Sequence, residues 1–365
     1  MTQETDIVII GGGVSGLLTA RALRLAGREV TVIEKGLIGQ ESSWAGGGIL
    51  LPIYPWRQPA AISDLVMLSL QAYPKLQTEL LAATGIDPEW QACGMLICKN
   101  PDLEAALAWC QQRGVAYQLG VPASAPALAT EMAQPLWLPE IAQIRNPRLL
   151  KSLKAYLLQL GVTMLEQVQL EKIVVSGDKV TELHTTQHQF GLQQLIISAG
   201  AWSAELLKTW LPEAGPSLPI RPVKGQMLVF SAQADTLPQM VLDGDQYLIP
   251  RRDGSILAGS TVESVGFDKT TTAAAKQALY EFATGLLPDL KQYPVTQHWA
   301  GLRPASPQGV PTIGLHPRFA NLAINVGHFR NGLVMGPASA QLLADLILQR
   351  QPALDPASYC WKPYE

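Results

Sequence analysis

Two groupings in this chain are of the kind that does chemistry. The first is an arginine in apolar company: in HWAGLRPASPQGVPTIG, Arg303 follows Trp299, Ala300, Gly301 and Leu302 and precedes a turn rich in Pro and Gly. A permanent cation in a run that otherwise reads as a buried strand needs an anion or a wet cavity, unless it reaches the surface on its long stem. The nearest acids along the chain, Asp289 and Glu281, belong in or just after a separate helix, which leaves a substrate carboxylate as a candidate partner. The second grouping is glycine-rich. Gly11-Gly12-Gly13-Val14-Ser15-Gly16 contains G-x-G-x-x-G at Gly11, Gly13 and Gly16.

The elements around the glycines give them a job. Residues 6–10 form a short apolar run suited to a strand buried on both faces. Residues 17–26 have helical apolar spacing and stop at Gly27, and a second strand over 29–33 closes with Glu34. In that frame Gly11 permits a tight turn, Gly13 lets backbone approach a pyrophosphate, and Gly16 lets the helix pack on the strand. The helix start offers free N–H groups and a positive dipole end, and Glu34 can accept hydrogen bonds from ribose hydroxyls. The pattern predicts a dinucleotide site. A nicotinamide enzyme would continue in regular βαβ units, whereas this chain breaks into GLIGQESSWAGGGILLP. There Ser42 and Ser43 are placed to hydrogen-bond phosphate, and Gly46, Gly47 and Gly48 to let backbone lie against a flat ring. Taken alone, the segment reads equally well as a mobile loop.

The remaining chain alternates helices and strands. Helices are expected over 60–84, 103–113, 146–160, 270–287 and 332–350, with a strand over 90–99 and short strands from 162 to 197. LIISAGAWSAELL is a strand, a turn at Gly200 and a helix from about Ser203; Gly200 either lets backbone approach a cofactor or makes an ordinary turn. Strands follow from Arg221, in a hairpin with an Asp253-Gly254 turn, over 295–303, and over 322–326. The loop VGHFRNGLVMGP feeds the last helix, so His328, Phe329, Arg330, Asn331 and Gly332 sit where N–H donors and a positive helix end would face negative charge on a reduced flavin. An ordinary capped helix is the other reading of that loop.

Composition sets outer limits. With 365 residues, 47% of them hydrophobic, the chain supports a large core and two domains. Its 27 basic and 30 acidic residues show no basic field for nucleic acid. Four cysteines without a CxxC pair, and five scattered histidines, point to reduced thiols and no metal site. The opening MTQETD is unlike a signal peptide, and no apolar run reaches membrane-spanning length. A soluble cytoplasmic protein without membrane or nucleic-acid partners is expected; a homo-oligomer is compatible with the sequence, which does not specify one.

In order, GGGVSG, Glu34, SSWAGGG, ISAGAWS, the RRDG hairpin, HWAGLRP and GHFRNG resemble the D-amino-acid oxidase superfamily of flavoproteins nearly end to end. The two carboxy-terminal motifs are the more specific, and within the superfamily they are most similar to the bacterial glycine oxidases. The resemblance implies a mixed α/β and α+β fold. A Rossmann-type FAD domain (1–85, 141–218 and 304–365) would be interleaved with an antiparallel-sheet substrate domain (86–140 and 219–303). It implies that Val14, Ser15, Glu34 and Lys35 hold the ADP half of a noncovalent FAD, with Leu170 at the adenine. Ser42, Ser43, Gly47, Gly48 and Ile49 would line the flavin, and His328, Phe329, Arg330, Asn331, Gly332, Leu333 and Val334 would cradle its ring. Tyr247 and Arg303 match the family's substrate residues, and no side chain is needed as acid or base. The implied reaction oxidises glycine, sarcosine or a small D-amino acid to its imine and reduces oxygen to peroxide, supplying the imine for the thiazole of thiamine. Ile49, Val262 and Asp245 depart from the family pattern and are expected to alter the pocket wall. A D-amino-acid dehydrogenase, a flavoprotein that trims a modified tRNA base and a nucleotide-binding sensor without turnover are the competing readings.

Overall fold

The computed structural model describes residues 2–100, 102–214 and 218–361; residues 215–217 and 362–365 of the expected FAD-binding segments lie outside it. The apolar run expected over 6–10 becomes the second half of a longer strand, Thr2–Ile10, at the centre of an eight-stranded sheet. It pairs in parallel with Val30–Glu34 on one side and Gln189–Ile197 on the other. Thr163–Glu166 and Leu322–Val326 extend the parallel core, and Thr312–Leu315 closes one edge antiparallel. Leu170–Ser176 and Lys179–Thr185 fold back as a meander on the first half of Gln189–Ile197.

Alternation along residues 7–10 of the central strand explains why that half is apolar throughout, while residues 3–6 ahead of it are polar and only partly covered. Ile7 and Ile9 belong to a core shared with the helices Val14–Leu25, Ala60–Thr84, Asn146–Gln159 and Gly332–Ile347. Val8 and Ile10 face the opposite way, into a second core beneath the meander. A strand covered on both faces has no position left for a polar residue.

The second sheet also has eight strands. It runs from Val295–Ala305 through Arg221–Ser231, Ser255–Gly259, Gln246–Pro250 and Met240–Asp243 to Met95–Ile97, Leu136–Leu138 and Gln118–Leu119. Its pairings are antiparallel except the one between Met240–Asp243 and Met95–Ile97. The helix Ala273–Leu286 covers its back, burying Leu279 and Leu286 against Leu228, Phe230 and Leu248.

Some expected elements are corrected. Residues 90–99 form two short strands, Gln91–Ala92 and Met95–Ile97, which join different sheets. The break is Gly94, at φ +73°, where any side chain would run into the Trp137 ring. The last helix ends at Ile347 rather than at 350. The four cysteines are unpaired, and burial pushes the Cys98 thiol up to about 12 and that of Cys110 up to about 11.

Candidate active site

The parallel strands end on one edge of the first sheet, where Ile10-Gly11, Ile33-Glu34, Ser198 and Val326-Gly327 line a cavity of about 830 Å³. Ligands bind open parallel sheets at the carboxyl ends of their strands, because the turns there aim backbone N–H groups and helix starts at the opening. The opposite wall comes from the second sheet, through Gly225, Met227, Tyr247, Gly301 and Arg303.

At the nucleotide end, Gly11 has φ +114°, and a side chain on it would strike the Ser198 carbonyl; only glycine permits this turn. The helix Val14–Leu25 has glycine as its N-cap and no acid in its first turn, so no charge neutralises its positive end. The Ser43 hydroxyl accepts from Val14 N at 2.9 Å, tying the serine loop to the helix start. Glu34 is held by two backbone donors, Gly12 N and Gly36 N, each at 2.9 Å. Its carboxylate is therefore fixed in place at the cavity wall. The Lys35 ammonium lies 3.8 Å from the centre of the Trp202 ring, and burial lowers its pKa.

The stretch from Ser42 to Ile49 is not a mobile loop. Asn146 donates to the Ser43 carbonyl at 2.7 Å, and the Gly48 carbonyl accepts from Ile144 N at 2.9 Å. Arg251, from the hairpin of the second sheet, is buried and donates to the Gly47 carbonyl (2.7 Å), the Gln143 side chain (2.5 Å) and the Ile144 carbonyl (3.3 Å). Burial, with Arg145 nearby, pulls its pKa down to about 10. Trp299 donates to the Ala45 carbonyl at 3.0 Å, so the arginine-bearing strand is fastened to the same stretch.

At the far end, Arg303 donates to the Thr261 carbonyl (3.1 Å) and to the Ser260 hydroxyl (2.7 Å), both neutral. Among the described residues no carboxylate forms a salt bridge with it. Burial draws its pKa below the usual arginine value; Tyr247 beside it opposes that, and Arg330 adds to it. The loop before the last helix holds Phe329 at φ +48°, an uncommon conformation for a bulky residue. The helix it feeds has no capping side chain and no acid in its first turn. His328 is buried, which drives its pKa down to about 4 and keeps it neutral.

The structure brings nearly all the expected residues to one cavity: Gly11, Gly13, Val14, Ser15, Glu34 and Lys35; Ser42, Ser43, Gly47, Gly48 and Ile49; Leu170 and Gly200; Tyr247 and Arg303; and 328–333. Two stand behind it. Gly16 lies against the Gly11 carbonyl, and Val334 is core. Val262, expected in the pocket wall, is 55% exposed and outside the lining. Sequence reasoning passed over Asn146, Ser198, Trp202 and Asn325 in the lining, and Arg251 behind it. Ser198 and Trp202 flank Gly200 in ISAGAWS, and that motif could have found them; Asn146, Asn325 and Arg251 come from elements remote in sequence, and no spacing signal marks them.

An FAD suits this cavity on physical grounds. Ser198 Oγ, Asn325 Oδ1, Asn146 Oδ1 and Arg330 Nη2 are buried atoms of lining residues without a protein partner. Such atoms are costly unless a ligand or water meets them. Two helix starts free of acids and a fixed Glu34 supply the donor and acceptor set that a dinucleotide needs.

Comparison with known proteins agrees. The family described as FAD dependent oxidoreductase matches residues 6–346. The glycine oxidase of Pseudomonas aeruginosa is 45% identical over 97% of both chains. The bifunctional protein ThiO/ThiG of Trichormus variabilis is 33% identical over 95% of this chain and 53% of its own length. The crystal structure of glycine oxidase from Geobacillus kaustophilus superposes with a TM-score of 0.92 at 27% identity, covering 100% of each chain.

Proposed function

The chain belongs to the FAD-dependent oxidoreductase family, and from that premise we propose that it is a glycine oxidase, taking glycine, sarcosine and small D-amino acids to their imines. The observation that carries the substrate reading is Arg303: a cation on the cavity wall with only neutral protein partners. A small carboxylate there completes a two-bonded, charge-assisted fork, and the Tyr247 hydroxyl supplies a further hydrogen bond. FAD, held by the turn at residues 11–15, Glu34 and the 328–333 loop, would supply the two-electron acceptor for the substrate and pass those electrons to oxygen as hydrogen peroxide.

The protein contributes mainly position. Arg303 and Tyr247 fix the carboxylate end, which points the α-carbon along the cavity. His328, neutral at working pH, is no proton donor, and the substrate ammonium gives its proton to solvent. The released imine hydrolyses to glyoxylate and ammonia, or serves thiazole formation in thiamine biosynthesis. The site residues divide between two interleaved domains, a cofactor domain (1–85, 141–218, 304–365) and a substrate domain (86–140, 219–303). Balanced charge supports an enzyme without nucleic-acid partners. Among the described residues no helix is long and apolar enough to cross a membrane; we place the enzyme in the cytoplasm.

The test is glycine in air without added acceptor, reading peroxide and glyoxylate, with Arg303→Ala beside the parent. The variant is expected to keep its FAD and to lose about 2–5 kcal/mol of substrate binding, roughly 30- to several-thousand-fold in KM. Efficient oxidation of L-alanine, turnover only with an added acceptor, or an unchanged KM in Arg303→Ala would each overturn the reading.

A further inference from the structure

Arg303 reaches its two partners by an unusual route. It sits on Val295–Ala305, opposite Val223 of the neighbouring strand Arg221–Ser231. Ser260 and Thr261, which it contacts, lie beyond that strand, where the chain continues from Ser255–Gly259 alongside Lys224 and Gln226. The guanidinium therefore crosses a whole strand, and it crosses at Gly225. A β-carbon on Gly225 would fall on Cζ, Nη1 and Nη2 of Arg303. Gly225 also lines the cavity, so this crossing forms part of its wall.

The reverse face of the same strand holds the far partners in place. Lys224, 1% exposed, bonds Glu263 and Asp268, each at 3.3 Å, and the Thr270 carbonyl at 3.1 Å. Gln226 donates to Glu263 at 2.8 Å, and its backbone N–H donates to the Thr261 hydroxyl at 2.9 Å. Side chains alternate along a strand. Residues 224 and 226 thus pin the 260–263 segment from behind, while 225 leaves the front bare.

We propose that Gly225 is a positioning residue for the substrate carboxylate: its missing side chain is the seat on which Arg303 lies flat, and that seat aims the guanidinium. The inference rests on Arg303 being the carboxylate partner. Gly225 does not have the left-handed φ that would itself demand glycine, and the atoms an added methyl would meet are the tip of a flexible side chain. Substitution should accordingly displace the arginine and spare the fold.

The experiment is Gly225→Ala, Arg303→Ala and the double variant, each as the FAD-loaded enzyme. Gly225→Ala is expected to keep its flavin and raise the KM for glycine by about 10- to 100-fold, with a smaller change in kcat. Its affinity for acetate, read by perturbation of the flavin absorbance, should fall in parallel. In the Arg303→Ala background the same substitution should add nothing, since its effect runs through the arginine. A raised KM in Arg303→Ala with a parental KM in Gly225→Ala overturns the seat alone, and so does full additivity in the double variant. An unchanged KM in Arg303→Ala removes the carboxylate reading itself. If Gly225→Ala is not recovered folded, recovery of the double variant locates the collision at Arg303, and failure of both overturns the proposal.

Discussion

His328 illustrates how much one environment decides. Its ring is buried, its Nε2 has no partner, and its pKa falls from the ordinary 6.5 to about 4. The unfolded chain takes up a proton near 6.5 and the folded chain only near 4, so the group favours folding above 6.5 and loses that contribution as pH drops toward 4. By pH 5 the loss is about 2 kcal/mol. His328→Gln should show a smaller fall in unfolding temperature between pH 7.5 and pH 5 than the parent, both saturated with FAD; equal falls would mean the imidazole is freely solvated in the folded state. Arg303 meets desolvation differently. It cannot give up its proton in the working range, so it keeps its charge and holds two neutral oxygens.

At the scale of elements, the hairpin of Gln246–Pro250 and Ser255–Gly259 does more than carry Tyr247. Its Arg251 reaches across to the Gly47 carbonyl and to Gln143, latching the substrate sheet onto the glycine stretch against which we place the flavin. Arg251→Lys should weaken FAD binding by roughly 10- to 100-fold, the equivalent of about 1.5–3 kcal/mol for a lost charged hydrogen bond. Arg252→Lys is the control. Its partners, Asp87 and the Trp90 carbonyl, lie at an exposed site. Equal FAD affinity in the two variants, measured by flavin fluorescence on reconstitution, would remove the latch. This element also shows where sequence reading stops. The strand, helix and acid around Gly11 were legible because the motif is local: turn, dipole and ribose acceptor fall within one βαβ unit. Arg251 in RRDG reads instead as the solvated tip of a turn, and only the packing of residues over 200 positions apart turns it inward. The unbroken strand expected over 90–99 failed for a similar reason. The Trp137 ring that meets Gly94 is far along the chain.

For the molecule as a whole, the cavity lies between two eight-stranded sheets. No cysteine is among its lining residues, and Cys98 and Cys110 are buried in the substrate-side cores. FAD should accordingly be held without a covalent bond. Acid precipitation of the loaded enzyme is expected to leave the yellow colour in the supernatant, and a yellow pellet would show a bond to the protein. The strand from Arg221 was readable as the opening of a different sheet. The short strands Gln118–Leu119 and Thr312–Leu315 were not, since two to four residues carry too little alternation to register.

The cavity that contains Ile10 also contains Leu333, and this orders events during synthesis. The helix Val14–Leu25 is made long before Gly332–Ile347, the helix it packs against. Its central strand likewise waits for Gln189–Ile197 before its second edge is covered. A chain still leaving the ribosome therefore exposes the apolar face of Val14–Leu25 until Gly332–Ile347 has been made, a stage at which such chains need protection from aggregation. The cavity has no wall from residues 327–333 until that helix docks against the glycine turn, so a flavin would find its complete cleft only after these two sequence-distant segments meet.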